Sequence, residues 1–170
     1  GGGGAMCRPE SPDEWGANII ATIEDGELVG RSLFKIPNNQ SELENCVAHN
    51  GSLVPVPGRD ILIQSWYQGG LSLIDFTDPE NVFEIAYFDR GPLSEETLLV
   101  GGYWSVYWHD GKIYGAEIAR GFDVLALQPS EHLSEAELAA AMRAVTPETA
   151  NVQTQTRITW EDHPDVARAY

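Results

Sequence analysis

The sequence predicts a mainly β chain built from repeated antiparallel sheets. Three segments align on a glycine, at Gly16, Gly70 and Gly121, with separations of 54 and 51 residues. Each glycine adjoins stretches rich in Val, Ile, Leu and aromatic residues, with turn residues between them. Short antiparallel strands in fours, repeating every ~40–50 residues, are typical of propeller blades. We therefore predict a partial β-propeller of about two and a half four-stranded antiparallel blades, with a C-terminal helix and final strand.

The three predicted units are incomplete in different ways. Residues 16–36 supply the outer two strands of one blade, residues 47–90 a whole blade, and residues 102–128 the inner three strands of another. Several strands are apolar almost continuously, which indicates sheets that are packed on both faces. Because a closed propeller needs at least about four blades, we expect either part of a larger propeller or an open array that other copies complete.

A helix follows the third unit. Ser134 and Glu137 have the spacing of a capping box, and Leu133 and Leu138 can form a hydrophobic staple. These signals predict a helix at about 134–145, ended by Pro147. The inward face of this helix is predicted to carry Leu138, Met142 and Val145.

The two ends of the chain receive different interpretations. Residues 1–6, GGGGAM, are typical of a cloning remnant, so the predicted propeller domain spans residues 7–160. Residues 152–160 alternate polar and apolar residues and are predicted to supply the outer strand of the last blade. Residues 161–170 are predicted to begin a truncated helix, because Pro164 is followed by an acidic residue.

The charge balance excludes several classes of partner. Ten Lys and Arg stand against 26 Asp and Glu, which gives a formal charge of −16. A chain this acidic gains nothing from counterion release, so we expect no nucleic-acid partner. No apolar run approaches the ~20 residues that span a bilayer, so we expect no membrane insertion. With 42% hydrophobic residues, the chain is not an acidic disordered tail.

The cysteines and histidines are too few and too scattered for a structural zinc site. Cys7 and Cys46 are the two cysteines, and no Cys-x-x-Cys motif occurs. Composition leaves two alternatives open. One disulfide would tie an N-terminal arm to the body, whereas a cytosolic protein would keep two unpaired thiols.

Residues 45–91 and 101–134 resemble the LVIVD-repeat proteins, which are bacterial and mostly secreted propeller proteins. The core of that repeat, an apolar strand running into Asp and a turn, is kept in Leu71-SLIDFTDP and weakened in Phe122-DVLALQP. The likeness runs from about Cys7 to Tyr170 and is to the C-terminal part of longer members. It implies a secreted, cell-surface or periplasmic protein, and with it a disulfide between Cys7 and Cys46. It assigns no catalytic residues.

The candidate site lies where the loops of neighbouring blades converge. Under the repeat alignment Trp66 and Glu117 occupy equivalent positions, and such positions meet at one rim or channel. The predicted ligand-binding residues would supply a base, two stacking faces, an acid and a cation. They are His49, Asn50, Trp66, Gln68, Trp104, Glu117 and Arg120.

Each of these candidates also has a structural interpretation. His49 is explained as a turn residue bonded to backbone, and Trp66 and Trp104 as packing between blades. Glu117 and Arg120 are explained as partners of each other or of the pair Asp89 and Arg90. His49 and Glu117 are the weak candidates for a divalent metal, but two protein ligands are too few for a site, so we predict no cofactor.

Three functions fit these observations. The leading one is a non-catalytic, exported propeller module that binds a protein or small ligand at its rim or channel. The first alternative is a small-molecule hydrolase or metal-dependent oxidoreductase that uses Glu117 or His49, with Arg120 holding a substrate carboxylate. The second is a structural blade array that completes a larger propeller or assembles with other copies of itself.

Overall fold

The computed structural model describes residues 7–8, 10–145 and 157–170. Within these residues the chain is mainly β, with nine strands in three antiparallel sheets and two short helices. The first sheet holds β1 (Asn18–Glu24) and β2 (Glu27–Phe34). The middle sheet holds β3 (Gly51–Val54), β4 (Ile61–Ser65), β5 (Leu71–Asp75) and β6 (Phe83–Phe88), in that order. The third holds β7 (Tyr103–His109), β8 (Lys112–Glu117) and β9 (Gly121–Leu125).

The middle sheet is buried on both faces. Every residue of β5 and four of the five in β4 are buried. One face of this sheet packs against the third sheet, and the other packs against the first. The face toward the third sheet carries Ile61, Ile63, Leu71 and Leu73, and the face toward the first carries Ile74, with Trp66 just beyond β4. This two-sided burial is why the strands are apolar almost continuously rather than alternating.

The strand registers test the glycine alignment of the repeats. The Trp66 N–H donates to the Gly70 carbonyl at 2.9 Å, and Glu117 lies opposite Gly121 in the third sheet. Gly70 and Gly121 therefore hold corresponding positions in the two sheets. In the first sheet the correspondence is displaced. Asn18 lies opposite Phe34 as Leu71 lies opposite Phe88, and both hairpins have an irregularity after the third pair. The alignment on Gly16 is therefore wrong by one residue in β1, whereas Phe34 and Phe88 keep the predicted separation of 54 residues in β2 and β6.

The predicted C-terminal helix is present but shorter than expected. It is α1 (Glu135–Ala141), and Ser134 and Glu137 form the predicted capping box. Its C-cap is Met142, after which the chain leaves the helical path, and the Val145 N–H bonds the Thr159 carbonyl. Leu138 packs against the core, whereas Met142 and Val145 are more than half exposed. The predicted inward face is therefore wrong for those two residues.

The final strand predicted at 152–160 lies partly outside the described residues. In residues 157–160 no strand forms, and Trp160 makes an isolated bridge with Ala144 instead of pairing with the third sheet. The Trp160 indole N–H donates to the Pro55 carbonyl at 2.8 Å, which ties this segment to the loop after β3. A second short helix, α2 (Pro164–Ala169), begins at the predicted proline.

A disulfide joins Cys7 to Cys46, with their Cα atoms 5.7 Å apart. Both cysteines lie in the buried cluster between the first and middle sheets, so the bond holds the N-terminal arm against the body. The predicted pairing is confirmed. Such bonds are typical of oxidising compartments outside the cytosol. None of the helices in the described part of the chain is long and apolar enough to cross a membrane.

An ion cluster joins the middle sheet to α1. The Arg59 guanidinium binds both Asp75, at the end of β5, and Glu137, in the first turn of α1, and it donates to the His132 carbonyl at 2.9 Å. Burial alone would raise the pKa of Asp75, but hydrogen bonds from Thr77 and Arg59 outweigh it and lower that pKa. Burial would likewise raise the pKa of Glu137, but hydrogen bonds from Ser134 and Arg59 outweigh burial and lower that pKa.

We expect Arg59→Ala to lower the free energy of unfolding by about 3 kcal/mol at pH 7, because it leaves the buried Asp75 carboxylate without its cation. Denaturant unfolding measures the change. Arg168→Ala, which removes an exposed ion pair with Asp165, is the matched control and should stay near wild type. Equal unfolding midpoints for the two variants would contradict the assignment.

The same cluster predicts a dependence on pH. The pKa values of Asp75 and Glu137 are lowered from 3.8 and 4.5, so their stabilisation is complete above those values and is lost as pH falls through the folded-state pKa values. The difference in unfolding free energy between wild type and Arg59→Ala should therefore shrink below about pH 4. A difference that stays constant down to pH 3 would be inconsistent with this linkage.

Reduction of the disulfide should lower the free energy of unfolding by about 2–4 kcal/mol, because the bond joins residues 39 positions apart and so restricts the unfolded chain. Unfolding in urea with and without a thiol reductant measures this. The double variant Cys7→Ser/Cys46→Ser is the control and should be insensitive to reductant. Two thiols that react before reduction would show that the bond is absent.

Candidate functional site

All seven predicted site residues lie at the same end of the middle and third sheets. At this end β4 and β8 finish and β3 and β7 begin, and we call it the rim. The structure divides the seven residues by exposure. Trp66, Gln68 and Glu117 are buried and Asn50 is half-buried, whereas His49, Trp104 and Arg120 are exposed.

The Glu117 carboxylate is fully engaged by backbone. One oxygen accepts from the Gly102 N–H at 2.7 Å, and the other accepts from the N–H groups of Ala119, at 2.8 Å, and Arg120. These bonds close the turn between β8 and β9 and fix the start of β7. The predicted ion pairing is wrong, since the Arg120 guanidinium donates to the Gly91 and Pro92 carbonyls instead.

Gln68 anchors a surface segment to the rim. Its amide N–H groups donate to the Asn45 side-chain oxygen at 2.5 Å and to the Leu99 carbonyl at 2.6 Å, and its oxygen accepts from the Leu93 N–H at 2.8 Å. Two of these bonds reach the 93–99 loop and hold it in place, and the third joins the rim to Asn45. Its polar capacity is used within the protein.

Asn50 joins the middle sheet to the third. Its side-chain oxygen accepts from the Val106 N–H at 2.9 Å, and its carbonyl accepts from the Ser65 N–H at 2.9 Å. Two residues further along the chain, in β3, the Ser52 hydroxyl accepts from the Trp108 N–H at 3.2 Å. These contacts place β3 beside β7, so the two sheets meet along their first strands.

The two predicted stacking tryptophans have opposite environments. Trp66 is fully buried between the first and middle sheets, 6.2 Å from the Phe34 ring, so it cannot offer a face to a ligand. Its indole N–H has no hydrogen-bond partner among the described residues. Trp104 is 55% exposed and therefore can stack on a ligand.

Three rings converge at the rim, and we call His49, Tyr67 and Trp104 the aromatic cluster. The His49 ring centroid lies 4.7 Å from that of Tyr67 and 4.8 Å from that of Trp104, and the Tyr67 and Trp104 rings are at 80° to each other. His49 Nδ1 is 2.5 Å from the Trp104 carbonyl oxygen. Because a carbonyl only accepts, this bond requires the proton on Nδ1.

Tyr67 is held in place by its backbone. Its φ of 54° is in the left-handed region, which is uncommon for a residue other than glycine. Its carbonyl accepts from the Tyr103 N–H at 2.9 Å. Gly102 permits this contact, since a Cβ there would collide with the peptide between Tyr67 and Gln68. Tyr67 is not among the residues predicted from the sequence, because its position depends on this left-handed turn and on the contact with Gly102, which no local pattern indicates.

The aromatic cluster offers ring surface on which a ligand can bind. Aromatic faces attract cations and stack on flat or apolar ligand surfaces. Among the residues that the structure describes, no group of three or more His, Cys, Asp or Glu is placed to hold a metal ion. Since backbone N–H groups occupy both oxygens of Glu117, the metal pair of His49 and Glu117 stays a prediction with no geometric support.

A cavity of about 240 Å³ opens between the middle and third sheets, away from the rim. Its walls are almost wholly apolar and come from both sheets and the segment after β9, including Leu73, Phe88, Ile113, Leu125 and Leu127. Such a lining can hold an apolar group, and Tyr87 and Gln128 are its polar members.

No family model, curated protein or solved structure matches the chain. The resemblance to the LVIVD-repeat proteins therefore rests on the sequence alone and stays a prediction. Function must be argued from the geometry of the rim.

We expect Glu117→Ala to lower the free energy of unfolding by about 3 kcal/mol, because three backbone N–H groups lose their acceptor and one of them belongs to the buried Gly102. Glu117→Gln keeps an acceptor oxygen and should lose less. The exposed Glu131→Ala is the control. If Glu117→Ala unfolds like wild type, the carboxylate is free for another role.

Proposed function

We propose that this chain is a non-catalytic, propeller-type binding module of an exported bacterial protein, which binds its ligand on the aromatic cluster. The proposal rests on the division of the rim residues into bonded and exposed side chains. The side chains of Glu117, Gln68 and Asn50 are hydrogen-bonded to backbone and neighbouring loops, while His49 and Trp104 are exposed to solvent. Contiguous exposed apolar surface marks sites of interaction with a partner or ligand.

The sheet arrangement supports the assignment of the three sheets as propeller blades. They stack face to face, and contacts through Asn50 and Ser52 join the first strands of the middle and third sheets. Each is a simple antiparallel meander in chain order. Blades of a propeller have this order and pack in this way around an axis. The disulfide and the LVIVD resemblance support export.

The chemistry of the aromatic cluster defines the ligand class. Three rings within 6 Å of one another favour a sugar ring, an aromatic side chain or an organic cation. The formal charge of −16 disfavours anionic ligands. The enzyme alternative has less support, because Glu117, its proposed acid or ligand, is committed to three backbone bonds.

Binding should depend on Trp104. Titration of tryptophan fluorescence with a panel of oligosaccharides, aromatic peptides and tetramethylammonium identifies a ligand, and Trp104→Ala should then lower its affinity roughly tenfold or more. Trp15→Ala is the matched control, since Trp15 is 52% exposed but lies outside the aromatic cluster.

Tyr67→Ala provides a second test of the same surface. It should weaken binding as Trp104→Ala does, because it removes the ring that stands at 80° to Trp104. A ligand whose affinity is unchanged in both variants binds elsewhere. Consumption of a panel compound would show that the module is an enzyme.

A further inference from the structure

The first sheet has an apolar face that none of the residues described by the structure covers. Ile19 lies opposite Leu33 and Ile23 opposite Leu28, so these side chains share one face. Ile19, Ile23 and Leu28 are each about three-quarters exposed, at 76%, 76% and 77%. We call this the aliphatic face; its members are Ile19, Ala21, Ile23, Leu28 and Leu33.

The third sheet has a second such face, on the side away from the middle sheet, which is left open by the described part of the chain. Tyr114 lies between Tyr107 and Val124, and Phe122 lies opposite Ala116. Phe122 is 65% and Val124 54% exposed. We call this the aromatic face, and it consists of Tyr107, Tyr114, Ala116, Phe122 and Val124.

The repeat explains why both faces are apolar. In the middle sheet Ser65 pairs with Leu71 and Ile63 with Leu73, as Ala116 pairs with Phe122 and Tyr114 with Val124 in the third. The middle-sheet residues lie under the third sheet and are buried. Their counterparts on the aromatic face therefore have the apolar character needed to pack against a following sheet. In the same way, the aliphatic face has the apolar character needed to pack against a preceding sheet.

We propose that a second copy of this chain supplies the missing neighbour, with the aliphatic face of one copy packed on the aromatic face of the other. The contact continues the stacking that the first, middle and third sheets already make within one chain. Two copies with three sheets each form a ring of six, within the roughly four to eight blades of known propellers. A head-to-tail contact of this kind closes when the rotation per copy completes a circle.

Charged residues are kept away from both faces. The members of the two faces are uncharged, so the formal charge of −16 is carried outside the contact.

Sedimentation and light scattering of the full chain test the proposal. We expect twice the 18.6 kDa of one chain, and Ile23→Lys or Val124→Lys should each weaken association roughly 100-fold or more. Val100→Lys, at a 71% exposed loop position, is the control and should associate as wild type. A wild-type chain that is monomeric at its highest workable concentration overturns the proposal.

Mixing the two variants tests the pairing of unlike faces. Ile23→Lys keeps its aromatic face and Val124→Lys keeps its aliphatic face, so an equimolar mixture should form a dimer through one intact contact. If the mixture stays monomeric, or if either variant alone still dimerises, the contact joins other surfaces and the proposal is wrong. Circular dichroism shows that the variants are folded, and Leu28→Lys with Phe122→Lys repeats the mixture at second positions.

Discussion

Burial of the middle sheet on both faces is the constraint on which the rest of the structure depends. Its strands β4 and β5 have almost no solvent-exposed side chain, so the first and third sheets must cover it from either side. Two separate apolar clusters result, one on each face. The disulfide lies in one cluster and α1 packs onto the other, so each peripheral feature is fixed relative to the middle sheet. Since apolar burial dominates folding, this sheet is the centre of stability.

The rim shows how a sheet end can be both rigid and available. Buried polar groups need partners, and at the rim Asn50, Gln68 and Glu117 find them in backbone groups of the neighbouring strands and loops. The bonds hold the loop and strand residues His49, Tyr67 and Trp104 in place. The rings are therefore preorganised, and a ligand that stacks on them does not have to order a loose loop first.

The stack ends on apolar surfaces at both sides, which is unusual for a chain with so strong a negative charge. The acidic residues keep the molecule soluble as a whole, yet the aliphatic and aromatic faces carry none of them. Contiguous exposed apolar surface of this kind is typical of association sites. The repeat that builds the interior therefore also places apolar side chains on the outer faces of the first and third sheets.

Local chemistry was enough to predict the strands, the turns and the capping box of α1. Turn residues and β-branched stretches act over a few residues, so 16–36, 47–90 and 102–128 divide into strands from sequence alone. Composition left the disulfide open, and only the resemblance favoured it. The tertiary structure decided that Trp66 is buried and Trp104 exposed, that Tyr67 joins the rim, and that Met142 faces outward. Those outcomes depend on which distant strand lies beside each residue. An alignment displaced by one residue, as in β1, assigns a side chain to the opposite face of its sheet.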